Sequence, residues 1–366
     1  MSRLTALADH GQSVWVDLLS REFVSSGRLA DLVAHHGVTG LTSNPAIFQA
    51  AISGSDAYDV QLAEVLATGV DDRAAFFALA IDDVQAACDV MRPVFDATAG
   101  NDGFVSLEVD PGLAHDTEGT ARQAADLAER VARPNLMVKI PATIEGLPAI
   151  EESIARGISI NVTLIFSLER YAAVLEAYIR GLERLVEAGG NPASLRSVAS
   201  FFISRVDTEA DRRLERVDHS ELAGQLGIAN AKLAYRHFVE VSEGARWQAL
   251  AAQGAAPQRP LWASTSTKNP AYRDTMYVEE LVGPQTVNTM PIETIDAFED
   301  HGVVRGTTVS EGWDEADALF AAIARADVDI ADVTQLLEDE GVKKFADAFD
   351  ALLAVIGDRR RELSPA

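Results

Sequence analysis

The sequence predicts an α/β fold, a single-domain (β/α)8 TIM barrel with additional helices, and three observations carry that prediction. Eight short apolar segments recur along the 366 residues. Longer helical patterns separate them. No glycine-rich phosphate turn follows the early segment 37–44, as an open doubly wound sheet usually shows. Length alone would allow two or three domains, but α/β barrels often reach this size as one.

The predicted strands are 13–18, 37–43, 104–109, 136–141, 158–166, 195–203, 260–265 and 285–290. Some connections are too long for one helix. The stretch 44–101 reads as three helical segments, one of them 72–91, ending just before Pro93. The stretch 207–258 reads as two or more, and the tail 313–362 as further helices with Asp314 and Asp332 near their starts. Neither insertion has strands of its own. Both are therefore expected as additions around one barrel domain spanning 1–366.

Hydrophobic residues make up 48% of the chain and charged ones 24%, an ordinary globular balance. The formal charge of −25 argues against nonspecific nucleic-acid binding, which needs a basic face. It also means that an anionic substrate must be held by a few local cations or amides against the field of the whole molecule. No apolar run of roughly 18 residues suggests a membrane span. The N-terminus, MSRLTALADHGQS, lacks the apolar core of a secretory signal, and Cys88 is the sole cysteine, so no intrachain disulfide can form. A cytoplasmic location is the expectation from these features together. Homo-oligomerisation is left open, because periodicity alone does not resolve exposed helix faces.

Side chains alternate across a strand, which splits each segment into two sets. Along 158–165, Ile158, Ile160, Val162 and Leu164 alternate with Ser159, Asn161 and Thr163. Leu136, Val138 and Ile140 alternate with Met137 and Lys139; Val14, Val16 and Leu18 with Ser13, Trp15 and Asp17; Val105, Leu107 and Val109 with Ser106 and Glu108. If the aliphatic sets face the helices, Asp17, Glu108, Lys139, Asn161 and Thr163 point into the barrel. They lie toward the C-terminal halves of their strands, where barrel active sites are built.

Each residue has a structural explanation when taken singly. Lys139 could pair with Glu108 or Asp17, Asp17 could cap a helix, and buried Asn161 and Thr163 could satisfy backbone groups. Converging titratable groups favour a site instead. A buried amine favours its neutral, nucleophilic form, which adds to a carbonyl to give a carbinolamine and then an iminium. The iminium withdraws electrons, so a neighbouring C–C bond can break, and a carboxylate can move the protons. The seven histidines form no H-x-H or H-E-x-x-H pattern, so no metal or other cofactor is expected. The pair His35–His36 reads as solvated, at a helix end or loop before Gly37.

Five segments resemble the transaldolase family in order and spacing: GLTSNPAIFQ at 40–49, LMVKIPATIEGLPAIE at 136–151, ISINVTLIFS at 158–167, VASFFISRVD at 198–207 and WASTSTKNPAY at 262–272. The similarity runs from about residue 14 to 291 and looks closest to the longer actinobacterial group. The resemblance implies transfer of a dihydroxyacetone unit between sugar phosphates, in the non-oxidative pentose phosphate pathway. It implies that Lys139 is the Schiff-base lysine and Asp17 the general acid/base. Glu108 would act through a water held by Thr163. Asn44 and Asn161 would bind substrate hydroxyls, and Ser200 and Arg205 would form part of the hydroxyl and phosphate site. Where many family members carry Ser-x-Arg, this chain has Ser264-Thr265-Ser266. Lys268 is the expected replacement for the missing charge; the alternative is a surface Lys268, with Ser266 giving only a hydrogen bond. Two rivals stand beside this reading: a plain class I aldolase that releases free dihydroxyacetone, and a catalytically silent barrel.

Overall fold

Eight parallel strands close into one barrel in chain order, the first paired to both the second and the eighth. The computed structural model describes residues 2–363. The strands are β1 (Gln12–Asp17), β2 (Val38–Thr42), β3 (Val105–Glu108), β4 (Leu136–Pro141), β5 (Ile160–Ile165), β6 (Ser197–Phe202), β7 (Gln258–Ala263) and β8 (Thr286–Met290). Each lies where the sequence places it, with ends displaced by two residues or fewer. The largest displacement is β7, which starts and stops early. Ser264 has a φ of 57°, which ends the extended backbone, so Ser264 and Thr265 belong to the following loop.

Two expectations need correction. The helix that begins at Asp72 runs through Pro93 to Ala97. Proline removes one helical hydrogen bond, but the next turn closes through donation from Thr98 N to Val94 O at 3.0 Å. Phe95 in that turn docks edge-on against Phe104, ring centroids 5.4 Å apart, so packing sustains the helix past the lost bond. The second correction is Leu164. Its φ of 60° accompanies a register shift between β5 and β6, and Leu164 leaves the aliphatic set packed on the other helices and lies against Gly341 of the C-terminal helix. It joins the cluster of Trp15, Met137 and Val198 instead.

Elsewhere the alternation holds. Val14, Val16, Leu107, Val138, Ile140, Ile160 and Val162 pack among the helices. Trp15, Met137, Val198, Leu261 and Val287 form the separate interior cluster. Trp15 donates from Nε1 to Asp102 Oδ1 at 2.7 Å, and its ring fills the space beside Gly40. A Cβ at position 40 would sit 2.4 Å from that ring, so glycine is the condition for tryptophan at this level of the barrel. At the strands' N-terminal ends, Arg259 donates to Ser13 Oγ at 2.6 Å and Thr286 O at 2.7 Å.

The insertion after β2 contains the helices Pro45–Ser53, Asp59–Ala67 and Asp72–Ala97. That after β6 contains Ser204–Arg216, Leu226–Glu243 and Ala245–Ala251, and the tail contains Trp313–Arg325 and Ile330–Leu363. His36 ends the helix Arg28–His36, and its Nδ1 lies 3.3 Å from Glu299 Oε1. Among the described residues, no helix is long and apolar enough to cross a membrane.

Candidate active site

Strand register brings the polar side chains to one level. Glu108 on β3 lies opposite Lys139 on β4, Lys139 opposite Asn161 on β5, and Pro141 opposite Thr163. Asp17 on β1 lies opposite Thr42 on β2. Apart from Asn161, the second residue of β5, all sit toward the C-terminal ends of their strands. There a cavity of about 230 Å³ is lined by eight of the ten residues named from the sequence, all but Glu108 and Asn161. A larger cavity of about 660 Å³ lies beside Ile144 and Glu338, but it contains none of these residues, so size does not identify the site.

The Lys139 side chain is 6% exposed; its Nζ donates to Ser43 O at 3.1 Å and lies 3.5 Å from Glu108 Oε2. The Glu108 contact is an ion pair rather than a hydrogen bond, because Oε2 has no bonded partner among the described residues. Burial pushes the Glu108 carboxyl up to about 7, against the downward pull of the Lys139 ammonium and with a small upward push from Asp17. Desolvation outweighs pairing, which poises a carboxyl to take and give protons near neutral pH. Thr163 Oγ1, which faces the cavity, is likewise buried without a partner. Two such polar atoms are costly unless something hydrogen-bonds to them.

The raised value has a consequence for stability. Below the unfolded carboxyl's range Glu108 is protonated in both states. As pH climbs through it toward 7, the folded state holds its proton while the unfolded state loses one, and stability is lost. Glu108→Gln removes this penalty. Its stability relative to wild type should rise between pH 4.5 and 8 by about 3 kcal/mol, read from urea unfolding at both pH values. An equal difference at the two ends of that range would show that Glu108 does not titrate there.

Asp17 Oδ1 accepts from Thr42 Oγ1 at 2.6 Å, and Thr42 Oγ1 also meets Thr289 Oγ1 at 2.7 Å. This chain of hydroxyls orients the carboxylate and leaves Oδ2 without a bonded partner among the described residues. Asn44 is the N-cap of Pro45–Ser53: its Oδ1 accepts from Ile47 N at 3.1 Å. Only the amide nitrogen of Asn44 is left for the cavity. Asn161 is fully buried between Ser106, to which its Nδ2 donates at 3.0 Å, and Ser200, which donates to its Oδ1 at 2.7 Å. Ser200 lines the cavity and Asn161 stands behind it.

Two cations also line the cavity. Arg205 lies over the Phe202 ring, 5.1 Å from its centroid, with no hydrogen bond or ion pair among the described residues. Burial lowers its pKa, with Asp17 and then Glu340 opposing. Lys268 Nζ donates to Ser266 Oγ at 2.6 Å; burial lowers its pKa first, then the Arg205 charge, with Glu293 opposing. Two mutually repelling cations, neither in an ion pair among the described residues, form a site for an anion. Ser264 shares a hydrogen bond of 2.9 Å with Ser204, on the same wall.

Sequence reasoning missed six lining residues: Thr42, Phe202, Ala263, Thr289, Pro291 and Phe345. Thr42 stands two residues beyond Gly40, so strand alternation could have placed it inside. Phe202 lies between Ser200 and Arg205 in a motif already singled out. Nothing local marked Thr289, and Phe345 comes from the tail. Among the described residues, no group of three or more His, Cys, Asp or Glu side chains is arranged to hold a metal ion.

The chain is similar to known proteins over nearly its whole length. A family model described as transaldolase/fructose-6-phosphate aldolase matches residues 14–356. A protein named Transaldolase from Frankia alni is 52% identical over 359 residues, covering 97% of each chain. Transaldolase 1 from Streptomyces avermitilis is 52% identical over 364 residues, 99% of this chain and 96% of that one. A Transaldolase from Thermobifida fusca is 52% identical over 355 residues, 96% of each.

Proposed function

The chain belongs to the transaldolase/fructose-6-phosphate aldolase family, and from that premise we propose a role for each residue of the cavity. The activity is that of a transaldolase. Sedoheptulose 7-phosphate and glyceraldehyde 3-phosphate give erythrose 4-phosphate and fructose 6-phosphate through a lysine Schiff base. The observation that supports our assignment is the enclosure of Lys139 beside a carboxyl that burial holds near pH 7.

Lys139 attacks the C2 carbonyl of the donor, and the carbinolamine loses water to become an iminium. Glu108, through a water held with Thr163, supplies and removes the protons of these steps. Asp17 takes the proton of the C4 hydroxyl as the C3–C4 bond breaks. The aldose phosphate leaves and the dihydroxyacetone enamine stays on Lys139. The acceptor aldehyde then enters, and the same steps run in reverse. Asn44, with its free amide nitrogen, and Ser200, steadied by Asn161, bind the sugar hydroxyls. Arg205, Lys268 and Ser264 hold the phosphate. We place the enzyme in the cytoplasm as one barrel domain from 1 to 366, with helical additions and no requirement for a cofactor.

Borohydride reduction in the presence of fructose 6-phosphate tests the reading. One reduced three-carbon unit should appear by intact mass and map to Lys139. No adduct, under conditions that trap a known Schiff-base enzyme, would remove the mechanism.

A further inference from the structure

A transferase must keep its enamine from water until the acceptor arrives, and the tail contains a group placed to do so. The helix Ile330–Leu363 buries Val333, Leu337, Phe345, Phe349, Leu352 and Ile356, a stripe at helical spacing. Gly341 continues the stripe without a side chain. A Cβ there would come within 3.0 Å of Leu164 Cδ2, so the helix lies close against the end of β5. Its first half is held by Arg213 on Asp332 at 2.6 Å and by Arg170 on Glu338 at 3.1 Å. Toward the other end, Arg360 binds Asp72 at 2.7 Å, and Phe349 packs edge-on to Phe76 at 5.3 Å. The element is anchored on both sides of its middle.

That middle presents Phe345, which is 7% exposed and lines the catalytic cavity. Its ring centroid lies 5.7 Å from Lys139 Nζ. The side chains from β1, β2 and β5 around the amine, Asp17, Thr42 and Thr163, are polar. Phe345 is therefore an apolar wall, on a cavity that Phe202, Ala263 and Pro291 also line, set beside a nucleophile whose hydrogen-bond and ion-pair contacts, Ser43 O and Glu108, are polar. Its distance from the amine allows a weak cation–π attraction at most. Exclusion of water is the larger effect, because a ring cannot hydrogen-bond the molecules it displaces.

We propose that Phe345 is a positioning residue that shields the enamine on Lys139 and thereby favours transfer over release. The proposal rests on the Schiff-base reading above. After cleavage the enamine carbon has two fates. It can attack the acceptor aldehyde, forming a C–C bond while the aldehyde oxygen takes a proton. Alternatively it takes a proton itself, water adds to C2 of the resulting iminium, the C–N bond breaks, and dihydroxyacetone leaves with Lys139 regenerated. The second route converts fructose 6-phosphate to dihydroxyacetone and glyceraldehyde 3-phosphate and needs no further reactant. Phe345→Ala opens space for about two or three water molecules at the reacting carbon.

The experiment measures release of dihydroxyacetone from fructose 6-phosphate without acceptor, and transfer to erythrose 4-phosphate, on the same preparations. Phe345→Ala is expected to raise the release-to-transfer ratio about tenfold, and Phe345→Leu to return it close to wild type. A purely structural loss lowers both rates together, and an unchanged ratio overturns the proposal. If Phe345→Ala fails to fold, Phe345→Leu and Phe345→Gln make the same comparison at similar size, with only the Gln variant expected to raise the ratio. Borohydride trapping with fructose 6-phosphate accompanies each assay. Absence of an adduct in the wild type defeats the Schiff-base reading itself. An adduct at Lys139 with an unaltered ratio defeats the Phe345 inference alone.

Discussion

Lys139→Ala is expected to lower transaldolase kcat by on the order of 10⁴-fold and to abolish the borohydride adduct. The size of the effect follows from what is lost: the covalent intermediate itself, which no neighbour can replace. Arg205 is a guanidinium and not a nucleophile. Lys268 is the other amine lining the cavity, but it sits with Arg205 on the wall assigned to the phosphate. Residual labelling in Lys139→Ala would therefore point to Lys268 and would overturn the assignment. The variant should still fold. An uncompensated buried carboxylate would cost several kcal/mol, but the Glu108 carboxyl is already raised to about 7 by burial. Without the ammonium it stays protonated at neutral pH and avoids that cost. Thermal unfolding at pH 6 should accordingly change less than at pH 8.

Arg205→Ala is expected to raise KM for fructose 6-phosphate about 100-fold, equivalent to about 3 kcal/mol, while unphosphorylated fructose is affected far less. Arg205 is half-buried, faces the cavity and makes no hydrogen bond or ion pair among the described residues, so a phosphate meets donors that are otherwise unused. Lys268 is more exposed, already donates to Ser266, and presents a point charge rather than a fork. Lys268→Ala should raise KM tenfold or less, and the effect should shrink as ionic strength rises. An unchanged KM in Lys268→Ala leaves Ser266 as a hydrogen-bond donor only. An equal effect on fructose and fructose 6-phosphate in Arg205→Ala would place the phosphate elsewhere.

The legibility of the site in the sequence follows from strand geometry. A strand's period of two is rigid, so once one face of β4 or β5 is recognised as aliphatic, Lys139 and Thr163 must lie on the other. In the folded barrel, parallel register then sets Glu108, Lys139 and Asn161 side by side. Where the backbone departs from that period, the reading fails. Leu164, at φ 60°, is a leucine in an aliphatic run with nothing local to announce a bulge. Pro93 is the converse case, a strong stop signal overridden by the docking of Phe95 on Phe104.

The sequence by itself determined the barrel, the inward side of most of its strands and the candidate site residues, because these follow from local periodicity and from which groups the chemistry would need. Tertiary structure alone decided what surrounds that chemistry. It spent Asn44 Oδ1 on a helix cap and enclosed Asn161 between Ser106 and Ser200. It also carried Phe345, on a helix remote in sequence, to 5.7 Å from the Lys139 amine. A helical stripe states that one face will be buried, but the surface that buries it exists only once strands from the whole chain have closed.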